Sequence, residues 1–462
     1  MTRAARGPDM RSLRMTKFAA TFAIATVATV ATFGRSAAAQ TPPDATDDTT
    51  AEVASENDSP GYSPSEPAGS GPGASALHVN GYVDVGFAKA QGDGTSFSSD
   101  DAPVPADYGV DAFATAVNSR GDVASTDSQG RFVNGFLPRS VGIAGRPSFL
   151  LNNFNLDLRF QPASAPIMIF SRVQFLPRFS STGDTTRVYV EQAFGRVTPF
   201  ESQELSLSVG KFDSVVGIEY QDNASPIRIG ITPSLAARYT TGTSVGAKAF
   251  YRFHVAPLWS ALSLNVAATN SGSMVESLQS PEQSWSGAPV LAGRLGYELS
   301  PPMIQVKLGA SLLRGPRNDQ QSRDAKQRLW ALDGRLFVAG FALSGEYVHI
   351  DEDEGIGPKT TSLGVFPFAS GFHARVYWAQ ASYALNVGLG ALNRVVPYAR
   401  YERRHAWFQG FVPITVDRMT AGLRIDLWDF VAVKGEYLRN RELAGAPNST
   451  NDVYTSSAVF SW

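Results

Sequence analysis

Apolar and polar residues alternate with a period of two through most of the chain beyond residue 75, in short runs. From Leu77 to Ala88 one face carries Leu77, Val79, Gly81, Val83, Val85 and Phe87, and the other His78, Asn80, Tyr82, Asp84, Gly86 and Ala88. Asn153 to Gln161 repeats the division, with Phe154, Leu156, Leu158 and Phe160 opposite Asn153, Asn155, Asp157, Arg159 and Gln161. The pattern predicts strands over 77–88, 153–161, 167–175, 187–197, 205–212, 236–253, 261–269, 291–299, 304–313, 328–336, 341–350, 372–383, 395–404, 418–427, 431–439 and 454–462, which is sixteen. That count takes 213–235 as a loop and 384–394 as one turn; other readings give fourteen or eighteen.

The connections alternate between short and long, and charge alternates with large apolar side chains inside single strands. A soluble sandwich would have to bury those charges and protect its edges. A closed ring needs neither, because every backbone group finds a partner and each strand face meets a different medium. The expected fold is therefore all-β, a transmembrane antiparallel β-barrel with short periplasmic turns and long extracellular loops. Aromatic residues near strand ends, Phe160, Phe170, Tyr297, Trp330, Tyr347, Trp378, Tyr383, Tyr398, Tyr401, Tyr437, Phe460 and Trp462, supply candidates for interfacial girdles.

Assigning the apolar face to lipid leaves Asp84, Asp157, Arg159, Arg172, Glu191, Arg294, Glu298, Gln305, Lys307, Asp333, Arg335, Glu346, Arg375, Arg400, Glu402, Arg424, Asp426, Lys434 and Glu436 facing a hydrated interior. Wet pairs of this sort contribute little stability individually. The stretch from Gly210 to Tyr220 breaks the alternation where the third long loop begins. Folded inward, that loop would narrow the barrel, with Asp213, Glu219 and Asp222 forming a negative strip and Arg228 and Arg238 an opposing positive one. The competing reading places all five on an ordinary outside loop.

The N-terminus carries Arg3, Arg6, Arg11, Arg14 and Lys17, the apolar run Phe18 to Phe33, then Ser36, Ala37, Ala38, Ala39 and Gln40. These mark residues 1–40 as an export signal, since a spanning helix needs about 20 apolar residues. Residues 41–74, rich in Pro, Ser, Gly and acids, read as a flexible periplasmic lead, and 75–462 as the barrel. Removing the signal's six cations and Asp9 takes the formal charge from −2 to about −7, which gives no support to a nucleic-acid surface. The chain contains no cysteine, so neither disulfides nor thiolate metal sites are available.

Gly210-Lys211-Phe212-Asp213 with Gly217-Ile218-Glu219, and Pro397-Tyr398-Ala399-Arg400-Tyr401-Glu402, together with the signal and strand series, resemble bacterial outer-membrane porins. They are similar in particular to the large porin-like groups that include phosphate-selective channels. The resemblance covers about residues 75–462 and implies a pore for ions and small hydrophilic solutes, without cofactor. It makes Phe460 and Trp462 the terminal signal read by barrel-assembly machinery, and implies outer-membrane lipids and a homotrimer as partners. The interior mixes arginines with nearly as many acids, unlike the arginine-rich path typical of phosphate channels. A non-conducting receptor, adhesin or structural barrel is the alternative.

Rival chemistry is weak. Gly242-Thr243-Ser244-Val245-Gly246 has nucleophile-elbow spacing, but it enters or lies within a strand instead of joining strand to helix. His78, His254, His349, His373 and His405 are dispersed; His349 near Asp351 to Glu354 is a faint metal suggestion against an ordinary solvated acidic run. Gln91 to Gly94, Arg120-Gly121-Asp122 and Asn448-Ser449-Thr450 fit plain surface loops.

Overall fold

The computed structural model describes residues 76–90 and 148–462, apart from 163–164, 181–182, 201–203, 223, 256–258, 271–288, 317–325, 354–358, 362–363, 367–371, 409–412 and 444–451. The expected signal, the lead, Gln91 to Gly94, Arg120 to Asp122 and Asn448 to Thr450 lie outside the described residues. Sixteen strands form one antiparallel sheet: β1 Ala76–Ala90, β2 Ser148–Gln161, β3 Ile167–Ser180, β4 Gly183–Val197, β5 Leu205–Asp213, β6 Thr243–Val255, β7 Ser260–Thr269 and β8 Val290–Leu299. The series continues with β9 Ile304–Pro316, β10 Lys326–Val338, β11 Phe341–Glu352, β12 Phe372–Tyr383 extended by Leu385–Leu389, β13 Leu392–Phe408, β14 Ile414–Leu427, β15 Val431–Glu442 and β16 Val453–Ser461. Each strand pairs with its sequence neighbours, and β1 pairs with β16, from Tyr82 opposite Ser461 to Ala90 opposite Val453. The sheet is thus a closed barrel, which removes every edge.

Outward positions carry the apolar set, including Val79, Val209, Leu264, Leu295, Leu308, Leu332, Leu343 and Leu423, all exposed. Inward positions carry Asp84, Asn155, Arg172, Glu298, Lys434 and Glu436, all buried. Exposed leucine outside and buried charge inside invert the order of a soluble protein, and place the barrel in a lipid bilayer as an outer-membrane architecture.

Short turns join strands at one rim. Between β10 and β11 the chain reverses through Ala339 (φ 47°) and Gly340 (φ 84°), both left-handed as a two-residue hairpin turn of matching twist requires. Residues 384–394, expected to be one turn, are mostly strand: β12 resumes at Leu385 after a break at Ala384, whose N–H donates to the Gly340 carbonyl at 2.8 Å, and reversal comes at Gly390. The strand expected from 236 begins instead at Thr243. The Ser234 hydroxyl accepts from the N–H groups of Ala236 and Ala237, which starts a single helical turn over Ala237–Thr240.

Near the closing seam Trp462 exchanges backbone hydrogen bonds with Gly81, at 3.1 and 3.2 Å. A Cβ on Gly81 would stand 2.5 Å from both the indole ring and the Asn155 carbonyl oxygen. Gly81→Val is expected to displace the ring and destabilise the barrel by about 1–3 kcal/mol, read as a lowered midpoint in reversible urea unfolding from lipid vesicles. An unchanged midpoint would remove the packing role of this contact.

Candidate functional site: the segment inside the barrel

Between β5 and β6 the chain leaves the wall. The Ser214 N–H donates to the Gly242 carbonyl at 2.9 Å, closing the base of the excursion, and residues 211–220 are buried without a break. A segment folded into a barrel carries backbone donors and acceptors that no ladder satisfies, so the wall must supply partners. It does so by charge type. Carboxylates take the N–H groups: Glu436 accepts from Ile231 and Thr232 at 2.7 and 3.0 Å, and Glu402 from Leu235 at 2.5 Å.

Cations take the carbonyls. Lys434 donates to Ser225, Arg228 and Gly230 at 2.5, 2.7 and 3.1 Å. Arg424 reaches Ile227 and Arg228, Arg400 reaches Thr232 and Pro233, and Arg418 reaches Pro233 at 2.6 Å. Glu402 also joins Arg400 and Arg418, at 2.7 and 2.9 Å, so acids and cations of the clamp are paired with one another as well as with the segment. Asp84 on β1 extends it by accepting from Ser225 and Ser457. The wall of β13, β14, β15 and β1 therefore holds the segment.

Its other side is apolar. Phe212, Val215, Val216, Ile218, Leu235 and Tyr239 pack with inward Leu313, Leu329, Val348, Ile350, Val376 and Trp378. Gly217 has φ 73°, a conformation that favours glycine, and passes so close to Glu346 that an added Cβ would force that carboxylate to move. The Gly217 N–H donates to Ser311 Oγ at 3.1 Å.

Among the five residues singled out on this loop, Asp213 accepts from Gln192 at 2.7 Å, Glu219 from the Ser234 N–H and hydroxyl, and Arg228 donates to the Ile231 carbonyl at 3.1 Å. Burial pushes the Glu219 carboxyl up against the opposing pull of Arg400, and pushes the Arg228 guanidinium down. Asp222 retains 40% of its side-chain surface and meets Arg335 at 2.6 Å. The side chain of Arg238 lies outside the described residues. Three of the five are thus engaged within the fold, and among the four whose side chains are described Asp222 combines exposure with a wall partner.

Of the wall residues assigned inward from sequence, Arg375 is a correction. It is exposed on the outer face, while its neighbours Ala374 and Val376 are buried inside. The reason is depth. Toward the long-loop rim the outer face passes beyond hydrocarbon and the inner face packs against the segment, so polarity reverses within one strand. The others keep inward register. Glu191 and Gln192 both point inward at a β-bulge opposite Arg172, which aims Glu191 at Gln174 and Gln192 at Asp213. Arg172 meets Asp157 through two 2.7 Å bonds, and Arg294 is paired with Asp333.

A different stretch of wall keeps water-accessible charge. Arg252 meets Glu298 at 2.8 Å, Glu298 is shared with Lys307 at 3.7 Å, and Lys307 stands opposite Arg335 in the ladder. Lys307 retains 24% of its side-chain surface. Two cavities, of about 660 and 480 Å³, lie at the short-turn rim; both are lined by Arg394 and Arg424, with Pro226 on one and Ile227 and Ile229 on the other. Arg418, Thr232, Ser225 and Ser311 were not singled out from sequence. Arg418 carried the available signal, as the first inward position of an alternating run.

Ser244 lies within strand β6, paired with Phe212. His349 and His373 both contact Asp351 on the outer face, at 2.9 and 2.5 Å, and among the described residues no group of three metal-ligating side chains occurs.

No family model matches the sequence, and no curated protein matches it. Among solved structures, the chain is similar to the outer-membrane expressed OmpT of Vibrio cholerae (10% identity, TM-score 0.44, covering 84% of this chain and 98% of that one). It is also similar to the outer membrane channel DcaP of Acinetobacter baumannii (9%, 0.48, 84% and 97%) and to the anion-selective porin from Comamonas acidovorans (10%, 0.44, 84% and 100%). The protein is a closed sixteen-strand antiparallel β-barrel of the transmembrane type, apolar on its outer face and charged within.

Proposed function

We propose that the barrel is a passive channel of restricted bore, admitting ions and small hydrophilic solutes across the outer membrane. The observation that carries this reading is the incomplete filling of the interior: the segment is clamped to β13–β15 and β1, while Arg252, Lys307 and Arg335 on β6, β9 and β10 keep partly exposed charge, as does Asp222 on the segment itself. A sixteen-strand barrel is wide enough to enclose water, and fixed charge beside a narrowed path sets ion preference without a cofactor.

Purified protein in a planar bilayer should give stepwise current. Lys307→Glu should move the reversal potential toward cations by roughly 10 mV in a salt gradient of about tenfold. A folded barrel that passes no current would leave the second reading, a non-conducting outer-membrane barrel, which the apolar packing around Val216 and Ile218 favours. Asp213, Glu219, Asp222, Arg228 and Arg238 are the proposed constriction. Cleavage after about residue 40, recognition of Phe460 and Trp462 during assembly, and a homotrimer complete the proposal; N-terminal sequencing and the mass of the detergent-solubilised particle test the first and last.

A further inference from the structure

Charge at the short-turn mouth is unevenly matched. Asp426 is shared by Arg394 and Arg424, at 2.7 and 2.6 Å, and Glu298 by Arg252 and Lys307, at 2.8 and 3.7 Å, so each carboxylate answers two cations. Arg394 keeps 43% of its side-chain surface. The cavity of about 480 Å³ spans both clusters: Arg394 and Arg424 line it, and so do Ser300 and Gln305, which both hydrogen bond to Glu298. Ile227, Ile229, Met303 and Phe337 give it apolar lining as well. The cavity of about 660 Å³ shares the two arginines and reaches Val459 and Ser461 on β16; its further acid, Asp429, accepts from Asn393 at 3.0 Å.

The chain enters β1 at this same rim. Ala76 stands opposite Gln161, and Gly81 meets Trp462 at the end of β16, the strand that borders the larger cavity. Residues 56–75, immediately before β1, carry Glu56, Asp58 and Glu66 and no lysine, arginine or histidine, with Tyr62 and prolines at 60, 64, 67 and 72. Ten residues from Glu66 to Ala76 span at most about 35 Å, and a ring of strands about 4.8 Å apart, tilted by about 40°, is about 30 Å across. Glu66 therefore reaches every part of the mouth. Attachment raises the local concentration of a short segment to the millimolar range, so a contact too weak to hold a free peptide becomes populated.

We propose that residues 56–75 fold back into the short-turn mouth, setting the Glu66 carboxylate against Arg394 and the stretch from Tyr62 to Pro67 over Ile227, Ile229 and Met303. The occupant is this chain's own acidic segment and not a soluble anion, because the site joins surplus positive charge to apolar lining and the segment that matches both is tethered beside it. Seated there, Glu66 gives a second carboxylate to two arginines that otherwise share one, through donors suited to paired contact. Proline-bearing backbone needs no ladder partner in such a seat. The inference rests on the barrel fold and is independent of conduction.

The absence of cysteine allows one introduced pair to report the seat. In the purified full-length protein, S65C/N386C, with Asn386 on the larger cavity, is compared under a mild oxidant with S65C/P199C, whose second position lies on the β4–β5 turn, fewer strands from β1. Disulfide formation should be about tenfold or more faster in the first pair, since bridging requires the two backbones to approach within about 7 Å. Adding E56Q/D58N/E66Q to both pairs, or raising the salt to about 1 M, should each bring the two rates within about threefold of one another. The neutralised positions all lie outside the barrel wall, so the ring stays folded in every variant, as circular dichroism will verify. Equal rates in the two original pairs would overturn the proposal, as would a tenfold preference that survives both neutralisation and salt. A barrel that crosslinks as expected and passes no current would remove the channel reading alone.

Discussion

Replacing residues 215–241 with a short Gly-Ser link is expected to raise single-channel conductance about three- to tenfold and to weaken ion selectivity, because the wall then encloses the full bore of a sixteen-strand ring. The junction is favourable: Ser214 and Gly242 are already hydrogen bonded, and β5 and β6 remain paired from Leu205–Tyr251 to Asp213–Thr243. Conductance equal to that of the parent, in a variant whose circular dichroism shows an intact sheet, would mean that the inner segment does not limit flow.

Glu402→Ala should release the same segment without removing it. The carboxylate is fully buried, receives Arg400, Arg418 and the Leu235 N–H, and its loss would strand two guanidiniums in the interior. Removing one partner of a buried ionic cluster costs about 3–5 kcal/mol, here charged to docking of the segment. The chain has no cysteine, so a single Val216→Cys, at a position with no exposed surface, reports undocking cleanly. Its thiol labelling rate should rise by about two to three orders of magnitude in the Glu402→Ala background, since about 1.4 kcal/mol corresponds to tenfold. A rate within about threefold of the parent would show that packing by Phe212, Val215 and Ile218 holds the segment without the clamp, because that corresponds to under about 1 kcal/mol.

The ring of strands was readable because alternation is enforced at every strand by two different media. Leu156 and Asp157 cannot exchange faces without placing charge in lipid. The rule weakens where one of the media changes. At the upper ends of β11 to β14 the outer face carries His349, Arg375, Arg403 and Asp417 while Val348, Val376 and Val416 are buried inside. Polarity alone then points the wrong way, which is why Arg375 was placed in the interior. Counting in twos from Trp378 and Tyr398, whose inward direction the structure shows, would have found it. The break in alternation from Gly210 to Tyr220 disclosed that the loop was unusual. That Glu436, Lys434 and Arg418 hold its peptide groups was not legible, because those partners lie 185 to 209 positions further along the chain; proximity there is a product of ring closure.

The reversal of polarity also has a vertical meaning. From Tyr401 the strand β13 continues to Phe408, which at about 3.3 Å per residue and a tilt of about 40° amounts to roughly 15–20 Å of wall beyond the level of Tyr401. With β12 and β14 paired alongside it, that side of the mouth stands as a parapet, so a solute approaching from the long-loop rim meets a wall on one flank before it reaches the inner segment.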